Sequence, residues 1–83
     1  MFTVYILRCG DNSLYTGYTN DLARRLARHH AQTASKYTAS RSPVRLCYQE
    51  SCRTKSEALK REYEIKQLSK QQKESLVAQW RAV

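Results

Sequence analysis

Glu62 stands where a buried apolar side chain is expected. A helix is predicted after Thr54, and on the helical period Glu62 lies about 40° from Ala58, inside the apolar arc. An ionised carboxylate that faces a core is unfavourable unless it is paired or binds a metal. Two explanations stay open: an ion pair with an arginine at the core edge, such as Arg25, or a ligand for a hard divalent cation. The apolar residues of that arc are Ala58, Leu59, Tyr63 and Ile65.

Two tyrosines and a basic pair are further candidates for chemistry. Tyr5 and Tyr15 lie in two short segments with the pattern of strands. Arg25 and His29 are one helical turn apart, at the edge where a predicted helix meets the core. Aromatic residues in strands are ordinary core material, so the tyrosines alone indicate little. Their combination with Glu62 in a basic chain makes them candidate site residues.

The charge balance indicates a polyanion as the partner. Fifteen Lys and Arg against seven Asp and Glu give a formal net charge of +8, which is the electrostatic footprint of a protein that binds a polyanion such as nucleic acid. The 83 residues allow one domain, residues 1–83, and a hydrophobic fraction of 41% excludes intrinsic disorder by composition.

Other classes of protein are disfavoured. No apolar run approaches the roughly 18 residues of a membrane span, and the apolar start has no basic leader, so we expect neither membrane insertion nor a signal peptide. The three cysteines have no C-x-x-C spacing, which argues against zinc. Their odd number favours a reducing compartment, so we expect a cytoplasmic protein.

Residues 2–18 have the pattern of a β-hairpin. Side chains alternate between two faces over residues 2–8, turn formers follow, and residues 14–18 have the pattern of a second strand. A two-residue loop would put Tyr5 and Tyr15 on opposite faces of the hairpin, whereas a three-residue loop would put both on one face. The residues alone leave both registers open.

Capping signals further along the chain predict three helices. An Asn-Asp pair at 20–21 opens the first helix. Capping boxes at 54–57 and 69–72 open the second and the third. The buried stripe predicted for the first helix consists of Leu22, Ala23 and Leu26.

The remaining segments complete an α+β pattern. Residues 31–43 are polar and basic and are predicted to form a loop or a short helical turn, and residues 44–48 alternate as a third strand. The order β-β-α-β-α-α implies a small, at least partly antiparallel sheet with helices packed on it.

Four segments form one pattern when taken together: Thr3-Val4-Tyr5, Tyr15-Thr16-Gly17, the run 20–26 and the run 57–62. A two-tyrosine hairpin, an arginine ten residues after the second tyrosine and a glutamate in a later helix resemble the GIY-YIG nuclease domain. The resemblance covers essentially the whole chain and is strongest to the small stand-alone bacterial members of the YhbQ/YazA type. The departures are Thr3 and Thr16, which replace the Gly and Ile of the family's name, and the absence of any Asn after Asn20, where many members have a late Asn.

The resemblance implies a fold and an activity. The fold is an α/β sandwich in which a three-stranded antiparallel sheet is flanked by helices, with both tyrosines on one face. The activity is that of a metal-dependent endonuclease acting on DNA, with branched or damaged DNA in repair or recombination as candidate substrates and RNA left open. Mg²⁺ or Mn²⁺ is the implied cofactor, with Glu62 as its protein ligand. The residues that the resemblance implies to be catalytic are Tyr5, Tyr15, Arg25, His29 and Glu62.

The resemblance also implies how these residues divide the work. Tyr5 deprotonates the attacking water, Tyr15 supports Tyr5 by a hydrogen bond, and Arg25 stabilises charge on the phosphoryl oxygens. Because a free tyrosine has a pKa of about 10, nearby positive charge from Arg25, His29 or the metal must activate it.

Two other functions stay open. A non-catalytic nucleic-acid-binding module would keep the scaffold and its charge, and a protein-interaction module would present the basic surface to an acidic protein partner. Charge does not discriminate between the nuclease and these two alternatives, because all three need it. Glu62 favours the nuclease over the binding module, because a pure binder gains nothing from a carboxylate at a phosphate site. The residues predicted to contact nucleic acid are Lys36, Tyr37, Arg41 and Arg45.

Overall fold

A three-stranded antiparallel sheet in the order β2-β1-β3 forms the centre of the protein, whose computed structural model describes residues 1–81. The fold is α+β, as the sequence predicts. The strands are β1 (Phe2–Arg8), β2 (Leu14–Thr19) and β3 (Arg45–Cys52), and the helices are α1 (Leu22–His30), α2 (Lys36–Ala39), α3 (Lys55–Gln67) and α4 (Lys70–Arg81).

The β1–β2 hairpin has the three-residue loop. The backbone N–H of Cys9 donates to the carbonyl of Ser13 at 2.9 Å, and Asn12, at φ 68°, supplies the left-handed residue that such a loop needs. Asn adopts this conformation more readily than most residues, because its short polar side chain tolerates it. In the resulting register Tyr5 pairs with Gly17 and Leu7 with Tyr15, so Tyr5 and Tyr15 share a face. The register that the family resemblance favours is confirmed.

The central strand β1 is buried on both faces. Val4 and Ile6 point to the face that α3 and α4 cover, which we call the apolar face. Tyr5 and Leu7 point to the opposite face, beneath α1, which we call the polar face. All four side chains are fully buried, so one alternating strand supplies both halves of the core. The apolar face is completed by Cys47, Tyr48, Ala58, Ile65 and Val77.

The predicted helix starts are confirmed. Asp21 caps α1 by accepting a hydrogen bond from the Arg24 backbone N–H. The α3 cap, Thr54, accepts from the backbone N–H of Glu57. At the start of α4, Ser69 and Gln72 form a reciprocal capping box, each side chain accepting from the other's backbone N–H. No helix within residues 1–81 is long and apolar enough to cross a membrane.

Three sequence expectations need correction. Strand β3 extends to Cys52, four residues beyond its predicted end, because it pairs with β1 along the whole length of that strand. Ala23 is exposed, since only the Leu22 and Leu26 side of α1 meets the sheet. On α3, Leu59 and Tyr63 are 42% and 66% exposed, because the sheet covers only the narrow stripe formed by Ala58 and Ile65.

Candidate active site

Tyr5 lies at the centre of the polar face and depends on a glycine beside it. Its ring lies across the backbone of Gly17, its partner on β2. A Cβ at position 17 would come within 2.6 Å of the Tyr5 hydroxyl and 2.7 Å of the ring carbon that carries it. Only glycine therefore leaves room for the phenol in this position. The Tyr-Thr-Gly motif thus has a steric cause, which is to hold the Tyr5 hydroxyl over the β2 strand.

His29 is the hydrogen-bond partner of that hydroxyl. The last turn of α1 carries His29 into the core, where it is 2% exposed, with Nε2 2.9 Å from the Tyr5 hydroxyl. Its Nδ1 lies 2.9 Å from the hydroxyl of Thr38 on α2. The sequence placed His29 at the core edge and gave Thr38 no role. His29 is instead buried, because α2 packs over it and brings the Thr38 hydroxyl to its Nδ1.

Burial governs the ionisation of both groups. The pKa of Tyr5 is raised to about 12, mainly by burial. Tyr15 and the charge of Glu62 also raise it, while the Arg25 guanidinium lowers it. Burial also lowers the pKa of His29, and the positive charges of Arg25, His30 and Arg28 add to that effect. At neutral pH the pair therefore consists of an un-ionised phenol and a neutral imidazole.

Arg25 and Glu62 approach Tyr5 from different helices. Arg25 is partly buried on α1, one turn before His29, and the charge of its guanidinium favours the ionised form of Tyr5 by lowering its pKa. Glu62, on α3, has a side chain that is 17% exposed, and its salt-bridge partner in the described chain is Lys66, at 3.6 Å and one turn away. The expected alternative, a Glu62–Arg25 ion pair, is therefore not formed among residues 1–81. Glu62 is partly buried beside the stripe of Ala58 and Ile65, and its charge contributes to raising the pKa of Tyr5.

The chemistry of Glu62 suits a hard divalent cation. Among residues 1–81 no group of three His, Cys, Asp or Glu side chains is placed to hold a metal. A zinc site would need three or four protein ligands and so does not fit. Mg²⁺ keeps several waters and binds through one or two carboxylates together with substrate phosphate, which fits a single partly buried carboxylate.

An aromatic row extends from His29 toward solvent. The ring of Tyr15 packs edgewise on His29 with centroids 5.5 Å apart, and Tyr37 follows at 5.7 Å from Tyr15. The guanidinium of Arg41 lies 3.8 Å from the Tyr37 ring centroid and also pairs with Asp11 at 3.1 Å. Tyr37 is 37% exposed at the end of this row.

The expected hydrogen bond between Tyr5 and Tyr15 is not formed among residues 1–81. The Tyr5 hydroxyl bonds His29 instead, and the Tyr15 ring packs against the same imidazole.

The remaining predicted contact residues separate into two places. Lys36 is exposed at the start of α2, next to Tyr37 in the aromatic row. Arg45 lies on β3 opposite Arg8, and together with Trp80 these residues line a small groove at the far end of the sheet. The structure thus brings Lys36, Tyr37 and Arg41 to the Tyr5 side and leaves Arg45 elsewhere.

A basic groove beside Arg25 was missed by the sequence reasoning. The groove has a volume of about 500 Å³, and α1 supplies its three arginines, Arg24, Arg25 and Arg28. The signal in the sequence was the Arg-Arg-x-x-Arg spacing, which puts these residues near one another on a helix. The rest of the groove is lined by Thr19, Asn20 and Asp21.

This chain is similar to a known catalytic domain and to several small proteins. A family model described as the GIY-YIG catalytic domain matches residues 1–75. A UPF0213 protein of Halobacterium salinarum is 54% identical over 76 residues, covering 92% of this chain and 99% of the relative. One from Staphylococcus haemolyticus is 55% identical over 74 residues, covering 89% and 90%. The solution NMR structure of a UPF0213 protein from Bacillus halodurans is 47% identical, with a TM-score of 0.61 over 94% of this chain and 84% of that one.

Proposed function

We propose that this chain, which belongs to the GIY-YIG family of catalytic domains, is a divalent-metal-dependent endonuclease that hydrolyses phosphodiester bonds in DNA. The observation that carries the proposal is the arrangement around one hydroxyl. Tyr5 is held by His29, influenced by the charge of Arg25 and lies within electrostatic reach of the partly buried carboxylate of Glu62. The Glu62 carboxylate in this arrangement favours catalysis over a binding module, because a pure binder gains nothing from negative charge at a phosphate site.

The Tyr5–His29 pair supplies a route for the proton of the attacking water. A phenol with a pKa near 12 does not ionise by itself at neutral pH. Tyr5 can instead take a proton from water while it passes its own proton to Nε2 of His29, 2.9 Å away. His29 is available as acceptor because its lowered pKa keeps it neutral. A free phenolate is then never required.

Arg25 and Glu62 would provide the electrostatic part of the catalysis. The Arg25 guanidinium, which lines the basic groove, would stabilise negative charge that develops on the phosphoryl oxygens. Glu62 would hold Mg²⁺ or Mn²⁺, and such an ion, when bound, supplies positive charge for the leaving oxygen.

The surroundings of the site offer two kinds of contact with nucleic acid. The basic groove on α1 binds backbone phosphates, which gives affinity without base specificity. The exposed ring of Tyr37 can stack on an unpaired base, so branched or damaged DNA is the substrate class that we propose. The three cysteines are free, which fits work in the reducing cytoplasm.

A cleavage assay on labelled single-stranded, duplex and branched DNA tests the proposal. Wild type, Glu62→Gln and Glu64→Gln would be compared with Mg²⁺, with Mn²⁺ and with chelator. Glu64 is the matched control, because it lies on the same helix with an exposed carboxylate. We expect metal-dependent cleavage by wild type and Glu64→Gln and none by Glu62→Gln.

Binding measured alongside separates the outcomes. Glu62→Gln should bind DNA as well as wild type or better, because a negative charge near the phosphates is lost. Equal loss of binding and cleavage would contradict a ligand role for Glu62. Salt-sensitive binding by wild type without cleavage of any substrate would favour the non-catalytic binding module. The same panel made in RNA decides which nucleic acid is the substrate.

A further inference from the structure

Thr38 closes the buried end of the hydrogen-bond chain that begins at Tyr5. Its side chain is fully buried, and its hydroxyl lies 2.9 Å from Nδ1 of His29 and 3.3 Å from the backbone carbonyl of Ser35. No buried side-chain nitrogen or oxygen in the described residues lacks a hydrogen-bond partner. The proton positions along Tyr5, His29 and Thr38 therefore follow from counting donors and acceptors.

The count favours one tautomer of His29. A threonine hydroxyl has one proton, and the carbonyl of Ser35 offers only acceptor positions, one of which is used by the N–H of Ala39 at 3.0 Å. When Thr38 donates to that carbonyl, its oxygen accepts from Nδ1–H of His29. Nε2 is then unprotonated and accepts the hydroxyl proton of Tyr5. Each of these three groups has a partner in this arrangement.

The opposite tautomer would block the relay. If Thr38 donated to Nδ1, the proton of His29 would be on Nε2 and would point at the oxygen of Tyr5. Among residues 1–81, His29 is the hydrogen-bond partner of that hydroxyl. The hydroxyl proton of Tyr5 would then lose its acceptor, and Tyr5 could not pass a proton to His29.

We propose that Thr38 is a positioning residue that keeps the proton of His29 on Nδ1, so that Nε2 faces Tyr5 as an acceptor. The consequence for cleavage rests on the proposed nuclease function, whereas the tautomer itself does not. The test therefore has a spectroscopic part and a kinetic part.

The spectroscopic part is long-range ¹H–¹⁵N NMR of the imidazole nitrogens at neutral pH. In the wild type we expect Nδ1 of His29 to be protonated and Nε2 unprotonated. In Thr38→Val, which has nearly the same volume but no hydroxyl, we expect the proton to shift to Nε2 in a major fraction of molecules. Thr38→Ser should restore the wild-type spectrum. A wild-type His29 protonated mainly on Nε2 would overturn the proposal without any variant.

The kinetic part compares cleavage by the same proteins. We expect Thr38→Val to lower kcat by about 10- to 100-fold, less than the complete loss of a general base, because Tyr5 and His29 remain, with KM nearly unchanged. Thr38→Ser should stay close to wild type. Thr16→Val is the control, since Thr16 is a buried threonine that pairs with Ile6 and so lies on the apolar face. Its cleavage should be unaltered.

The two parts separate failure of this inference from failure of the nuclease proposal. A shifted tautomer in Thr38→Val with undiminished kcat would overturn the catalytic relevance of Thr38 and leave the nuclease standing. A wild type that cleaves nothing, yet has Nδ1–H in the wild type and Nε2–H in Thr38→Val, would support the positioning by Thr38 while the nuclease proposal failed.

Discussion

The two faces of the sheet use the same strand for different purposes. On the apolar face, Val4 and Ile6 of β1 pack against Ala58, Ile65 and Val77 of α3 and α4. On the polar face, the intervening residues of β1 include Tyr5, whose hydroxyl joins His29 and Thr38 in a chain of hydrogen bonds. Both faces are buried, but only the polar face has a chain of hydrogen bonds between fully buried side chains, whereas the Tyr48–Glu50 bond of the apolar face lies at its partly exposed edge.

The difference explains how a small protein builds a rigid site. Apolar packing is non-directional and stabilises the fold roughly in proportion to the area buried. Buried polar groups add little net stability, but each hydrogen bond fixes an angle and a distance. Because neighbouring residues of a strand point to opposite faces, the strongly buried Ile6 anchors the backbone from which Tyr5 projects.

Arg25→Ala tests whether charge on the polar face contributes to cleavage. We expect cleavage to fall by about 10²- to 10³-fold, as for the loss of one preorganised charge-stabilising donor, with a smaller loss of affinity. The measurement is kcat and KM on the preferred DNA substrate. Arg24→Ala in the same groove should instead weaken binding and lower the salt slope of log K by about 0.9, with kcat unchanged. Equal losses of kcat and affinity in Arg25→Ala would make Arg25 a phosphate anchor only.

The apolar face should respond in the opposite way. Truncation of Ile6 to Ala leaves a cavity in the core and should lower the free energy of unfolding by about 2–5 kcal/mol. Urea unfolding followed by circular dichroism gives this value. The fraction that stays folded should cleave DNA at the wild-type rate. A large loss of cleavage without loss of stability would mean that the two faces are not separable.

Gly17→Ala should disturb both stability and chemistry. The new methyl group would meet the Tyr5 ring and hydroxyl at distances that atoms do not adopt, so the phenol must move away from its position over β2. Overpacking of this kind costs about 1–3 kcal/mol. We expect that loss together with strongly reduced cleavage and an altered His29 imidazole spectrum. Normal cleavage by a stable Gly17→Ala protein would refute the placement of Tyr5.

The pH dependence of stability gives the smallest effect. The pKa of His29 is lowered in the folded protein by burial, so the unfolded chain binds that proton at higher pH. The stabilising contribution is therefore complete above about pH 6.5 and is lost as the pH falls through the lower pKa of the folded state. Urea midpoints between pH 7.5 and 5 measure this loss. His29→Gln should flatten the profile in that range.

Much of the fold could be predicted because its signals are local. Strand alternation and the caps at Asp21, Thr54 and Ser69 depend on residues a few positions apart. The hairpin register was left with two solutions, since the sequence does not show whether Asn12 adopts a left-handed conformation. The exposure of Tyr63 was missed because a helical period gives directions but not how wide a stripe the sheet covers.

The sequence predicted only those site residues that conflict with their local surroundings or belong to the family pattern. Glu62 was identified because a carboxylate in an apolar arc conflicts with its surroundings, and Tyr5 and Arg25 followed from the family pattern. Thr38 has no such conflict in the sequence. Its role arises only when α2 packs over His29, and that contact depends on tertiary structure rather than on any local pattern.

Two buried tyrosines on opposite faces of the sheet provide the most direct test of whether the chemistry takes place on the polar face. Tyr5→Phe removes the hydrogen bond to His29, and Tyr48→Phe removes the 2.7 Å hydrogen bond to Glu50 on the apolar face. Tyr5→Phe should cost about 1–3 kcal/mol of stability, because the buried Nε2 of His29 loses its partner. Tyr48→Phe should cost about 0.5–1.5 kcal/mol, because Glu50 is partly exposed and keeps its ion pair with Arg61. Metal-dependent cleavage should fall by about 10²- to 10⁴-fold in Tyr5→Phe and stay at the wild-type level in Tyr48→Phe. Full activity in Tyr5→Phe, or equal losses in both variants, would contradict the assignment of the chemistry to the polar face.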